Sequence, residues 1–208
     1  MELFTNWHSW NVAERGLRDA LTRSTGAAAD VTVADLVADA GSAVSFATAY
    51  HRDQRRPTGA PYLEHLLEAL EVLARGAQIT DRDVLRAAVL HDVVEDTLCT
   101  TADLREAFGP RVAELVGWVT IPEAGPGGDK AEVKEAYLRG LAVAPRDAIL
   151  VKLADRASNV QTLRNLPVER QRGYFAQTVR YIVPLATTHA WFGAWYADWQ
   201  HDFADLAA

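Results

Sequence analysis

A single cysteine among 208 residues leaves this chain no internal disulfide and no Cys-x-x-Cys zinc site. That residue, Cys99, is followed by Thr100 and has no histidine beside it in sequence, which makes it a poor nucleophile. Positive charge is also short: 21 Lys and Arg face 28 Asp and Glu, for a net charge of -7. Phosphate backbones and anionic membrane surfaces both require a positive field, so neither nucleic acid nor a membrane is expected as a partner. No apolar run approaches the roughly eighteen residues of a membrane span. Residues 1–7 show no basic segment leading into an apolar core, so no signal peptide is read and the cytoplasm is the expected location. β-Alternation is missing over any useful length, as are internal repeats and low-complexity tracts. What is present is an ordinary globular composition, 49% hydrophobic and 24% charged, at a length that suits one domain with or without an appendage.

Apolar residues recur at helical spacing, and the expected fold is all-α. Residues 12–23 form an amphipathic helix candidate, followed by a loop-like break over 24–30, so residues 1–30 read as an accessory segment. Thr32 is placed to cap a helix over 33–50, which ends in the basic cluster Arg52, Arg55 and Arg56 beside Pro57 and Gly59. Such a cluster in an acidic protein is either a place for phosphates or a set of solvated arginines. Pro61 and Tyr62 open a leucine-rich helix with Gly76 as its stop, and Thr80 and Asp83 are the expected caps of the next. Short helices over 102–108 and 111–120 precede a glycine-rich loop over 123–129 that lacks the context of a phosphate-binding loop. Helices over 130–144 and from Pro145 onward complete a main domain at 31–186. In residues 187–208 the tryptophans Trp191, Trp195 and Trp199 repeat every four residues, a docking stripe for this domain or for a second subunit in a homo-oligomer.

The stretch that breaks the pattern is Ala88-Val-Leu-His91-Asp92-Val-Val-Glu95-Asp96-Thr97. Read as one helix, it stacks His91 on Glu95 and Asp92 on Asp96, one turn apart. Like charges so placed repel, so a cation is expected to compensate them, a divalent metal being the economical candidate. His65 in the preceding helix and Asp155 in a later apolar one add the same ligand types, and Asn159 and Thr162 are expected to share the Asp155 face. Two imidazoles and two carboxylates without thiolate suit Mn²⁺ or Fe²⁺. Glu95 and Asp96, one turn further on, are placed to orient water or move protons.

These residues resemble the HD-domain hydrolases, and within them the RelA/SpoT-type guanosine polyphosphate pyrophosphohydrolases, particularly the single-domain small alarmone hydrolases. The resemblance runs from about Ala47 to Ala186, through Tyr50-His-Arg-Asp-Gln54, Arg56, Gly59, Pro61-Tyr62-Leu-Glu-His65, His91-Asp-Val-Val-Glu-Asp-Thr97 and Leu150-Val-Lys-Leu-Ala-Asp155-Arg-Ala-Ser-Asn159-Val-Gln-Thr162. It implies the compact multi-helix HD fold and a manganese enzyme that removes the 3′-pyrophosphate of (p)ppGpp. Metal ligands fall on His65, His91, Asp92 and Asp155, and catalytic acids on Glu95 and Asp96. Arg56 falls where a guanidinium lies against the base, and Thr58, Asn159 and Thr162 fall among contacts to ribose and phosphate, with Lys152 nearby for phosphate charge. Pro57, Leu66 and Ser158 depart from the usual Lys, Pro and His. Two alternatives stay open: a phosphohydrolase for another nucleotide, such as an adenosine analogue or a 2′-phosphorylated dinucleotide, and an antitoxin-like binding partner.

Overall fold

The computed structural model describes residues 1–25 and 33–207, so the expected Thr32 cap and most of the expected break over 24–30 lie outside the described residues. Eleven α-helices with short 3₁₀ and π turns make up the described chain, and no strand forms among the described residues beyond an isolated bridge between Arg55 and Pro61. None of these helices is long and apolar enough to cross a membrane.

The helix at the centre is α9, Arg146–Val160. From Ala148 to Val160 every residue except Asn159 is buried, which requires covering elements on all sides. Helices α3 (Leu63–Glu71), α4 (Arg82–Leu90) and α7 (Pro110–Val119) supply that cover. A helix so enclosed tolerates polar residues only where they are paired. Its buried Lys152, Asp155, Arg156 and Ser158 therefore mark where the packing is built around something other than apolar contact.

Several local expectations are corrected. The run around His91 is two pieces: α4 ends at Leu90, and a short α5, Val93–Asp96, follows. His91 Nδ1 lies 2.8 Å from the Ala88 carbonyl, the acceptor that a continuous helix would offer to the Asp92 amide, and Asp92 sits at φ -98°, ψ -5°. The cap of α4 is Asp81, between the two expected residues. Its extended backbone lets the carboxylate accept from the amides of Asp83 and Val84 at 3.0 and 3.1 Å. The helix expected over 130–144 is α8, Lys130–Gly140, closed by a 3₁₀ turn over Leu141–Val143. Because α9 stops at Val160, Thr162 lies in the following turn and does not continue the helical face of Asp155.

The two ends of the chain seal one flank together. Phe4 and Trp7 are core residues, and the Phe4 backbone exchanges hydrogen bonds with the buried Gln161 side chain at 2.7 and 3.0 Å. Helix α1 (Trp10–Thr25) packs on α2 (Val33–His51) and buries Leu17 and Leu21. In α11, Ala190–Asp202, the Trp199 indole donates to the Val160 carbonyl at 3.1 Å and Trp195 to the Glu2 carbonyl at 2.8 Å. Both indoles are buried by this chain's own residues, which removes them from any surface a second subunit could meet. Trp191 lies over Gly76, where a Cβ would fall 2.5 Å from the ring, so the close approach requires glycine there.

Glu71 holds this arrangement. Its fully buried carboxylate accepts from the amides of Asn6 and Trp7 at 3.0 and 3.3 Å, from Asn6 Nδ2 at 2.9 Å and from Arg75 Nε at 2.9 Å. Removing it takes the acceptor from the Asn6 and Trp7 amides and leaves Arg75 only its Glu2 and Leu3 partners, so Glu71→Ala is expected to cost about 3 kcal/mol in urea unfolding. A loss below about 0.5 kcal/mol, the range of ordinary surface changes, would show that the N-terminal segment is held by packing alone.

Candidate metal centre

His65 enters from the first turn of α3, His91 from the end of α4, Asp92 from the α4–α5 break and Asp155 from the middle of α9. Their side chains converge. His65 Nε2 and His91 Nε2 are 3.0 Å apart. Asp92 Oδ2 lies 3.3 and 3.1 Å from these two nitrogens, and Asp155 Oδ1 lies 3.4 and 3.6 Å from them. Both histidines and Asp155 are at most 5% exposed. Ligand atoms of His65, His91 and Asp92 fall within 4.8 Å of one another, the spacing that a single ion spans.

The donor set fits a metal ion for a reason that lies on the far side of each ring. His91 Nδ1 faces the Ala88 carbonyl, which only accepts, so this nitrogen carries the proton. His65 Nδ1 faces Ser158 Oγ at 2.8 Å, and Ser158 Oγ donates to Glu68 Oε2 at 2.5 Å, so this nitrogen is also a donor. Neutral rings so fixed turn two lone pairs toward each other at 3.0 Å, amid two carboxylates. Only a cation in the middle relieves that arrangement.

Without a metal, the two carboxylates favour a proton on the imidazole pair. Burial works to lower both histidine pKa values, but Asp92 and Asp155 outweigh it, raising His65 and taking His91 well above its usual value. Burial likewise works to raise Asp92 and Asp155. For Asp92 the two imidazoles reverse that effect, and for Asp155 Lys152 and the imidazoles do, so both carboxyls lie below the usual carboxylate range. Lys152 Nζ sits 2.8 Å from Asp155 Oδ2, and Asn159 Nδ2 donates to Asp155 Oδ1 at 2.6 Å. Both of these residues, expected near substrate, are here engaged with Asp155.

The acid pair lies beside this set in a different environment. Glu95 Oε2 accepts from the Ile121 amide at 2.8 Å, and burial, helped by Asp92, pushes its carboxyl up. Glu95 lines two clefts of about 840 Å³ each, one bounded by Ile121, Lys130 and Lys134, the other by Tyr50, Arg52 and Asp96. Asp96 is joined to Asp92 by Tyr62, whose hydroxyl lies 2.8 Å from Asp96 Oδ2 and 2.5 Å from Asp92 Oδ2. Arg56 Nη1 pairs with Glu68 Oε2 at 2.9 Å, whereas Thr58 is exposed in the neighbouring turn.

Tyr62, Glu68, Ser158 and Lys134 were not singled out by sequence reasoning as functional residues. Glu68 left a trace, as an acid three residues after His65 in a leucine run; Ser158 likewise stands three residues after Asp155.

An all-helical domain that gathers two imidazoles, two carboxylates and an adjacent acid pair defines the class of helical hydrolases that work at a divalent metal. The family model described as HD domain matches residues 43–189, and the chain belongs to that family. It is similar to the guanosine-3′,5′-bis(diphosphate) 3′-pyrophosphohydrolases MESH1 of Danio rerio, 38% identical over 66% of this chain and 74% of the relative, and of Drosophila melanogaster, 37% identical over 71% and 84%. A solved structure described as a metazoan ortholog of SpoT that hydrolyzes ppGpp superposes with a TM-score of 0.73 at 32% identity, over 84% of this chain and 98% of the other.

The raised histidines make the metal-free protein pH-sensitive. Their contribution to stability is full below the unfolded value near 6.5 and is lost as pH rises through the higher folded values. The two aspartates act in the opposite sense, contributing above the unfolded value near 3.9 and losing that contribution as pH falls. The melting temperature of metal-free protein is therefore expected to fall as pH rises above about 6.5, the unfolded histidine value, and added Mn²⁺ to reverse the fall because the ion displaces those protons. Calorimetry across that range with and without metal checks this; an identical profile in both would refute a shared proton and metal site.

Proposed function

We propose that this protein is a Mn²⁺-dependent hydrolase that removes the 3′-pyrophosphate of guanosine polyphosphates, giving GDP from ppGpp and GTP from pppGpp. The observation that carries this reading is the pair of fixed imidazole lone pairs set 3.0 Å apart between two carboxylates, beside a separate acid pair. The activity of similar proteins, named for this reaction, supplies the substrate class. Mn²⁺ is the ion that a mixed imidazole and carboxylate set without thiolate suits.

His65, His91, Asp92 and Asp155 would hold the ion, which would supply Lewis-acid polarisation of the phosphoryl group and of water. Glu95, with its raised pKa, exchanges a proton with the attacking water. Asp96, tethered through Tyr62, keeps a second carboxylate at the same edge. Water bonds to the phosphorus that carries the ribose 3′ oxygen, the bond between them breaks, pyrophosphate leaves whole, and the 3′ oxygen takes up a proton. Lys130 and Lys134 face the Glu95 cleft and counter the charge of the phosphates, while Arg56 and Thr58 receive the base and ribose end.

The test is turnover of ppGpp and of an adenosine analogue by metal-reconstituted protein, with products separated by anion-exchange chromatography. GDP with pyrophosphate is the expected outcome, abolished by chelation. Orthophosphate as first product, or no turnover of any 3′-pyrophosphorylated nucleotide, would overturn it. Glu95→Gln is expected to retain its metal and lose 10²–10⁴ in kcat, roughly the value of a general acid or base. Metal content and activity vanishing together would make Glu95 a ligand instead.

A further inference from the structure

The two imidazoles reach the same tautomer by different means. His91 is set by a main-chain carbonyl, which no side-chain change can remove. His65 depends on three side chains in series. Arg56 is a donor only, and its guanidinium lies 2.9 Å from Glu68 Oε2. Paired in this way, Glu68 presents that oxygen as an acceptor, and the Ser158 hydroxyl donates its one proton to the same atom at 2.5 Å. With that proton spent, Ser158 Oγ can only accept from His65 Nδ1, 2.8 Å away, and His65 Nε2 is left as the lone pair facing His91. Ser158 is fully buried and Glu68 is 7% exposed, so no solvent path substitutes for these partners.

Resting on the reading of the four converging groups as metal ligands, we propose that Arg56, Glu68 and Ser158 form one positioning relay that fixes the His65 tautomer and couples the base-side arginine to metal affinity. Arg56 then has two duties. It receives the nucleotide, and it holds Glu68 Oε2 in place so that the serine hydroxyl points away from the imidazole. A freed serine proton could turn toward His65 Nδ1 and move the ring proton to the nitrogen that must ligate.

The relay is tested by Mn²⁺ affinity, measured by titration calorimetry on substrate-free protein whose folding is checked by circular dichroism. Ser158→Ala is expected to weaken binding by about 10–100-fold, the usual effect of losing a ligand's supporting partner, and Ser158→Thr to keep most of the affinity because the hydroxyl remains. Arg56→Ala is expected to weaken Mn²⁺ by about tenfold in the parent, the low end of that range, and to cause no further loss in the Ser158→Ala background. Should Ser158→Ala fail to fold, Glu68→Gln takes its place as the background. Losses that simply add, or parental affinity in Arg56→Ala, would overturn the relay. Coupling without pyrophosphohydrolase turnover would keep the relay and discard the substrate assignment; turnover without coupling would do the reverse.

Discussion

The 3.0 Å approach of His65 Nε2 to His91 Nε2 is the constraint around which the rest of the protein is arranged. Two lone pairs at that distance repel, and two carboxylates nearby add to the negative field. Such an arrangement favours something positive at its centre, and the raised pKa values of both histidines run in that direction. Building a place that needs a cation requires that its walls be unable to relax. The four converging side chains accordingly come from α3, α9 and the break that follows α4, elements of helices that pack against one another, and α9 is enclosed on all sides.

Enclosure has a cost, since every polar group carried into the interior must be paired. Lys152 is buried against Asp155, with the Tyr137 ring 5.3 Å from its ammonium. Ser158 is spent between His65 and Glu68, and Glu68 between Ser158 and Arg56. Further along, Gln161 closes on the Phe4 backbone and Glu71 on Asn6 and Trp7. Described residues outside the HD match, at both ends of the chain, thus pack on the C-terminal ends of α3 and α9.

Much of this was legible in the sequence wherever a charged residue interrupted an apolar helix. His91, Asp92 and Asp155 stand out in that way, because an unpaired charge in a buried helix is too costly to be incidental. The all-helical fold was legible for the complementary reason, the persistent helical spacing of apolar residues. What stayed hidden depends on contacts distant in sequence or on competition between near-equal local choices. Tyr62 reads as a helix-opening aromatic, and its hydroxyl acquires meaning only when Asp92 and Asp96, 30 and 34 residues on, fold against it. Thr80, Asp81 and Asp83 can all cap a helix, and only the extended backbone at Asp81 selects among them. The break at His91 follows from the ring taking a backbone carbonyl, which periodicity does not encode.

Asp92 and Glu95 are close together in sequence, yet their surroundings shift their acidities in opposite directions. Asp92 and Asp155 face imidazoles, and Asp155 also faces an ammonium, so they stay ionised and available as ligands. Glu95, only three residues from Asp92, faces burial and a neighbouring negative charge, with one amide from Ile121 in partial compensation, so its proton is held more tightly. The split would vanish if the chain continued as one helix from Leu90, because Asp92 and Glu95 would then share one helical neighbourhood. By unwinding at Asp92, the backbone sends the aspartate in toward the histidines and the glutamate out toward the Ile121 edge. Two carboxylates with opposite shifts in acidity, the division that the proposed ligand and proton-transfer roles need, therefore arise three residues apart from the same acidic run.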